Sequence, residues 1–171
     1  PKVGFITFGD ERAHEWERVF RRLTEGKHAE ALAFFSGLGA AVELCAFDTV
    51  ARTRDDIEGQ AAALRAAGAE VLVAHTPCWT APNLVLHGVQ AVGLPTVLLS
   101  NKSAATHGTV GMLGAGGALD QVGYRHFRVR EDFDSPALPG KLLPFFRAAA
   151  AVKRLRGSVF GMFGGRSLGI D

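Results

Sequence analysis

Cysteine is scarce in this chain. Cys45 and Cys78 are the two among 171 residues, too few for a disulfide framework or a thiolate zinc site, and such scarcity fits a reducing, cytoplasmic compartment. An excess of one charge is also missing, since 19 Lys and Arg stand against 17 Asp and Glu, a formal net charge of +2. The cations are scattered and form no stripe that would track a phosphate backbone, so nucleic acid is a poor partner. Apolar runs of membrane length are lacking too. The longest stretch without Asp, Glu, Lys or Arg, Val71 to Asn101, is punctuated by Pro77, Pro82 and Pro95, which disqualifies it as a membrane helix. No signal-peptide pattern precedes the first apolar segment.

What is present is ordinary globular material. Hydrophobic residues make up 47% and charged residues 21%, proportions of a folded chain rather than a disordered one. A domain of this length buries roughly 70% of its unfolded surface, enough for one real core.

Short apolar runs alternate with longer amphipathic ones. Val3 to Phe8, Ala41 to Phe47, Glu70 to His75, Thr96 to Ser100 and Arg125 to Val129 have the length and composition of buried strands. Between them the period becomes helical: Trp16, Val19, Phe20 and Leu23 share one face, as do Ile57, Ala61, Leu64 and Ala67. Thr53 with Asp56 resembles a capping box, and Gly68 suits the left-handed residue beyond a helix end. Leu84 to Val92, Val110 to Val122 and Leu142 to Leu155 complete the helices. This order predicts an α/β fold, a doubly wound and mostly parallel five-stranded sheet in the flavodoxin-like order 2-1-3-4-5.

Two segments sit awkwardly in that scheme. Leu84, Val85, Leu86, Val89 and Val92 cover most of a helix circumference. That helix needs either a second cover, from another subunit or a further domain, or a place deep in its own core. Ser158 to Phe163 reads as a sixth strand, and Gly164-Gly165-Arg166-Ser167 as the turn after it. The expected organisation is therefore one α/β domain over residues 1–157 and the truncated start of a second over 158–171; the alternative is an antiparallel edge strand with a frayed tail.

In an open parallel sheet, ligands bind beyond the carboxyl ends of the strands where strand order reverses. Here that point lies between the first and third strands. The segments leaving those ends are Gly9-Asp10-Glu11-Arg12 and Thr76-Pro77-Cys78-Trp79, with Ser100-Asn101-Lys102 on the next strand. A guanidinium, a carboxylate and an indole suit a polyol, whose hydroxyls take the hydrogen bonds while the indole covers the C–H face. The candidate substrate-binding residues are Arg12, Trp79, Asp10 and Asn101. Structural roles compete with this one: Asp10 as a helix cap, Arg12 as a solvated first-turn residue, Trp79 as core.

Other chemistries are weaker. Cys78 could be a nucleophile only with a paired base from His75, His87 or His107, and no oxyanion site is visible beside it, so a structural thiol is favoured. The six histidines, at 14, 28, 75, 87, 107 and 126, form no metal-ligand spacing. The run Gly111 to Gly117 has Leu119 where a dinucleotide fingerprint needs its third glycine, and it lacks a Walker lysine. Close helix packing explains it better than a phosphate cradle.

Around Thr76-Pro77-Cys78-Trp79 the sequence resembles the L-fucose isomerase family, within the fucose and arabinose isomerase group. The opening Pro1-Lys2-Val3-Gly4-Phe5, Asp10 with Arg12, Asp48-Thr49 and the closing stretch from Gly157 to Ile170 agree in order and spacing. The resemblance implies the amino-terminal domain of a longer, homo-oligomeric, Mn2+-dependent aldose–ketose isomerase. It further implies that the metal ligands and catalytic groups lie outside this chain, which alone is inactive. This domain's part is to supply a neighbouring subunit's pocket with an arginine and a tryptophan, matched by Arg12 and Trp79. The sugar is left open among L-fucose, L-arabinose and related aldoses. A self-contained flavodoxin-like module that binds a phosphate or nucleotide through its glycine runs is the alternative; a thiol enzyme built on Cys78 is a third possibility.

Overall fold

The computed structural model describes residues 1–102, 105–161 and 163–165. Five strands, β1 (Lys2–Thr7), β2 (Glu43–Cys45), β3 (Val71–His75), β4 (Thr96–Ser100) and β5 (His126–Arg130), form one sheet in the order β2-β1-β3-β4-β5. Every pairing is parallel, with Val3 opposite Leu44 and Val71, and Leu98 opposite Ala74 and Arg128. The predicted architecture and strand order are those observed.

Strand periodicity divides the core into two layers. Val3, Phe5, Val71, Val73, Val97 and Leu99 face α2 (Arg21–Gly37) and α6 (Leu138–Leu155), meeting Ala31, Phe35, Leu142 and Phe146. The alternate residues Ile6, Leu72, Ala74 and Leu98 face α3 (Arg54–Ala66), α4 (Pro82–Val92) and α5 (Gly108–Gln121). Burial on both faces is what makes these strands continuous apolar runs rather than alternating ones.

The first helical segment departs from the predicted stripe. It opens with the short α1 (Ala13–Glu15), passes through a π-turn at Trp16–Phe20 and continues as α2. Trp16 and Phe20 are buried, but Val19 and Leu23 are each 45% exposed. The π-turn adds a residue to the turn and rotates the helix, so Thr24, His28, Ala31 and Phe35 form the inward face. By contrast α3 follows its local code: the Asp56 amide donates to Thr53 Oγ1 while Asp56 Oδ2 accepts the Thr53 amide, and Gly68 ends the helix at φ +76°.

Within this chain, α4 lies between α3 and α5. Its Leu84, Val85, Val89 and Val92 are all buried there, so the core reading holds and the cover expected from another subunit or domain is not required. The strand expected at Ser158 to Phe163 is not formed among the described residues of that stretch, where Val159, Phe160 and Phe163 are almost fully exposed. Among the described residues of the stretch no ladder partner takes up backbone groups, and without one an extended segment is not a strand. Met162 and Arg166 to Asp171 lie outside the described residues. No helix of the described chain is long and apolar enough to cross a membrane.

The glycine run in α5 packs. A Cβ on Gly108 would lie 2.8 Å from the Thr76 and Pro77 carbonyl oxygens, and one on Gly111 only 2.6 Å from that of Cys78. The helix start therefore presses on the backbone leaving β3, where the amide of Trp79 also donates to the Thr106 carbonyl at 2.9 Å. Gly111→Ala is expected to lose about 1–3 kcal/mol of stability by overpacking against immobile backbone, as measured by denaturant unfolding.

Candidate functional site

The crevice is built where β1 and β3 end side by side. The Phe8 amide donates to the His75 carbonyl at 2.8 Å, and the Gly9 amide to that of Ala51 at 2.9 Å. Thr80 Oγ1 donates to the Gly9 carbonyl and Arg52 Nε to the Asp10 carbonyl, each at 2.9 Å. Gly9 is needed for this convergence, since a Cβ there would lie within 2.9 Å of Val50, Arg52 and Trp16 side chains at once. The Arg52 guanidinium also lies over the Trp16 ring, 4.4 Å from its centroid, a cation–π contact that fixes the far wall.

Asp10 and Arg12 meet directly. Asp10 is 1% exposed; its Oδ1 accepts the Arg12 amide and Nε, both at 3.0 Å, and its Oδ2 accepts Nη2 at 2.6 Å. This two-point fork fixes the guanidinium plane and leaves Nη1 and one Nη2 hydrogen to point elsewhere. Arg12 itself occupies the N-cap position of α1, with no side-chain cap, so Asp10 orients an arginine rather than capping the helix.

From the other side, Trp79 is half-buried against Trp16, Phe20 and Cys78. The turn it belongs to is joined to the Asp10 turn through the Thr80–Gly9 bond. Cys78 is 0% exposed, and burial pushes its thiol up to about 11. Such a thiol is protonated at neutral pH and inaccessible, which argues against the nucleophile.

Asn101 lies elsewhere, beneath the crevice. It is 1% exposed, with Oδ1 3.0 Å from His75 Nε2 and Nδ2 donating to the Glu131 carbonyl at 3.4 Å. Both ends of its amide are spent inside the protein. His75 belongs in turn to a buried row that the sequence did not reveal: His75 Nδ1 lies 3.1 Å from Thr7 Oγ1, Thr7 Oγ1 lies 2.8 Å from His28 Nδ1, and His28 Nε2 lies 3.0 Å from the Phe47 carbonyl. Burial pushes the His28 imidazole below its usual range, and pushes His75 down to about 3. The one available signal was a histidine ending an otherwise apolar strand.

Glu131, 4% exposed, accepts Lys102 and, at 2.6 Å, Lys141. These ammonium groups, Lys102 first, hold its carboxyl down to about 2.

Two open hollows flank the crevice. One, of about 530 Å³, is walled by Trp16, Glu25, His28, Asp48 and Arg52; the other, of about 720 Å³, by Lys27, Phe34, Lys102 and Phe133. Neither is lined by Arg12 or Trp79. Among the described residues no three His, Cys, Asp or Glu side chains gather to hold a metal ion.

A parallel α/β domain with paired turns at its switch point is the class these features define. The chain belongs to the family described as L-fucose isomerase, first N-terminal domain, which matches residues 1–157. The family implies that the full-length protein is an isomerase. No curated protein matches the chain.

Two measurements check this geometry. Cys78 is expected to react with iodoacetamide far more slowly than free cysteine in the native protein at neutral pH, as followed by mass spectrometry. The lowered Glu131 pKa means its ion pairs stabilise the fold fully above the unfolded value of 4.5, with the contribution lost as pH falls toward about 2. Glu131→Gln should therefore lower Tm at neutral pH, and its deficit against the parent should shrink through that acid window.

Proposed function

We propose that this chain is the amino-terminal domain of a manganese-dependent aldose–ketose isomerase of the L-fucose/L-arabinose type, and that it lends substrate-binding side chains to a neighbouring subunit of a homo-oligomer. The observation that carries this reading is the Arg12 fork on buried Asp10, which presents the remaining guanidinium hydrogens from the switch point. Arg12 hydrogen-bonds the hydroxyls at the end of the sugar away from the reacting carbons. Trp79 covers its C–H face. Asp10 acts through Arg12, and Asn101, with its amide engaged internally, acts as part of the floor. Manganese, held by residues in other parts of the full-length protein, would supply the polarisation of the sugar's oxygens when bound. This chain's contribution is to bind and orient.

The phosphate-binding module has less support. In its glycine run Gly111 packs on Cys78 and Thr80, Gly114 on Pro82 and Gly116 on Arg128, which accounts for these glycines by packing.

The test is aldose–ketose conversion by the full-length protein with manganese, comparing L-fucose with L-arabinose. Arg12→Ala and Trp79→Ala are each expected to reduce kcat/KM by about tenfold to a hundredfold, equivalent to roughly 1.4–2.8 kcal/mol. Unchanged kcat/KM in both variants overturns the role of this crevice, and absence of conversion with every aldose overturns the isomerase.

A further inference from the structure

The buried row beneath the crevice has one fewer proton than it has contacts. From end to end it runs Phe47 carbonyl, His28, Thr7, His75, Asn101, Glu131 carbonyl, giving five polar contacts between 2.8 and 3.4 Å. Both ends are carbonyl oxygens, which only accept. Each neutral imidazole supplies one N–H, Thr7 supplies one O–H, and the Asn101 amide can direct its NH2 to one side only. Four protons serve five contacts, whichever way the amide is turned. With both histidines neutral, one contact must set acceptor against acceptor; the deficit can slide along the row by changes of tautomer but cannot leave it.

A single added proton removes the mismatch. His28 then donates from Nε2 to Phe47 and from Nδ1 to Thr7, Thr7 donates to His75 Nδ1, His75 Nε2 donates to Asn101 Oδ1, and Asn101 Nδ2 donates to Glu131. The Asn101 orientation observed is the one this form requires. In the neutral form the deficit is best placed at the longest contact, 3.4 Å between Asn101 and Glu131. That arrangement has His28 protonated at Nε2, His75 at Nδ1, and the Asn101 amide turned so that its NH2 faces His75.

We propose that His28, Thr7, His75 and Asn101 form a one-proton switch, in which protonation of the row moves the His75 hydrogen from Nδ1 to Nε2 and turns the Asn101 amide. The balance is simple: one proton is taken from solvent, one imidazolium is formed, and no bond between heavy atoms changes. The charge resides on His28, which borders the solvent-open 530 Å³ hollow. Around that ring Asp48 favours the charge, Glu17 and Glu25 share the hollow with Arg21 and Arg52, and Lys27 disfavours a proton on the neighbouring His75. His75 is enclosed by Phe5 and Phe133 rings and stays neutral in both forms. Burial lowers the affinity of both rings for a proton, so acidification drives the row from its neutral form into the protonated one, whose Asn101 orientation is the one described above.

The two ends of the row belong to different parts of the site. Phe47 lies beside Asp48 on the hollow's wall, and Glu131 holds Lys102 immediately after Asn101. The switch thus relates the protonation state of one hollow to the hydrogen-bond direction under the β4 and β5 ends.

The experiment is magic-angle-spinning NMR of the full-length protein labelled with 15N in its histidine rings, with resonances assigned by residue-specific substitution, from about pH 8 to about pH 5. As His28 gains its second proton, His75 should change from the Nδ1–H to the Nε2–H tautomer with the same midpoint. Thr7→Val, close in shape but unable to relay a hydrogen bond, should abolish that coincidence, and Thr7→Ser should restore it. A His75 tautomer that stays fixed across the range overturns the proposal, whether or not His28 titrates. If the valine variant does not fold, the parent titration alone decides.

Discussion

The carboxyl end of the sheet depends on the clamp around the Gly9–Asp10 turn. Ala51, Thr80 and Arg52 bond its backbone from two other segments, and the absence of a side chain at Gly9 lets Val50, Arg52 and Trp16 close over it. Asp10 is buried by that closure, and a buried carboxylate requires a partner; Arg12 supplies it from two residues away. The exposed guanidinium is therefore fixed from below, by a charge that cannot reach water. Orientation of Arg12 follows from its fork on a neighbour that packing holds in place.

Much of this architecture was legible because it rests on short-range rules. Buried parallel strands show as apolar runs, Thr53 and Asp56 cap one another, and Gly68 takes the one backbone conformation that favours it. The meeting of the segments after β1 and β3 follows from strand order. What escaped was set by geometry between distant residues. The π-turn at Trp16–Phe20 rotates the helix and exposes Val19 and Leu23, although their spacing matched an ordinary helical stripe. Arg52 reaches Asp10 across 42 residues, with no local pattern to announce it. Asn101 sits at the end of β4 as foreseen, yet its amide is directed inward by His75 and Glu131, a choice that only the side-chain packing makes.

The two flanks of the crevice differ in electrostatic character. On the β2 side, Arg52 lies over Trp16, and Glu17 and Glu25 bind Arg21 at the surface; exposed pairs of this kind contribute little. Toward β5, one buried carboxylate, Glu131, draws two lysines onto itself. That pairing places Lys102 over the floor formed by Asn101 and gives the edge of the sheet a charge anchor. The family match over residues 1–157 takes in all five strands and the whole of α6.

The bond from Thr80 to Gly9 joins residues 71 positions apart. During synthesis Ala51 and Arg52 can clamp the turn after β1 first, and its last clamp waits until the chain through Thr80 has left the ribosome, which at roughly 5–20 residues per second amounts to several seconds. Until α3 and β3 have been made, β1, whose inner residues are apolar on both faces, has only β2 and the first helices for shelter. The nascent chain is thus most exposed to wrong pairing early, and the same contact that sets the crevice also marks the end of that vulnerable period.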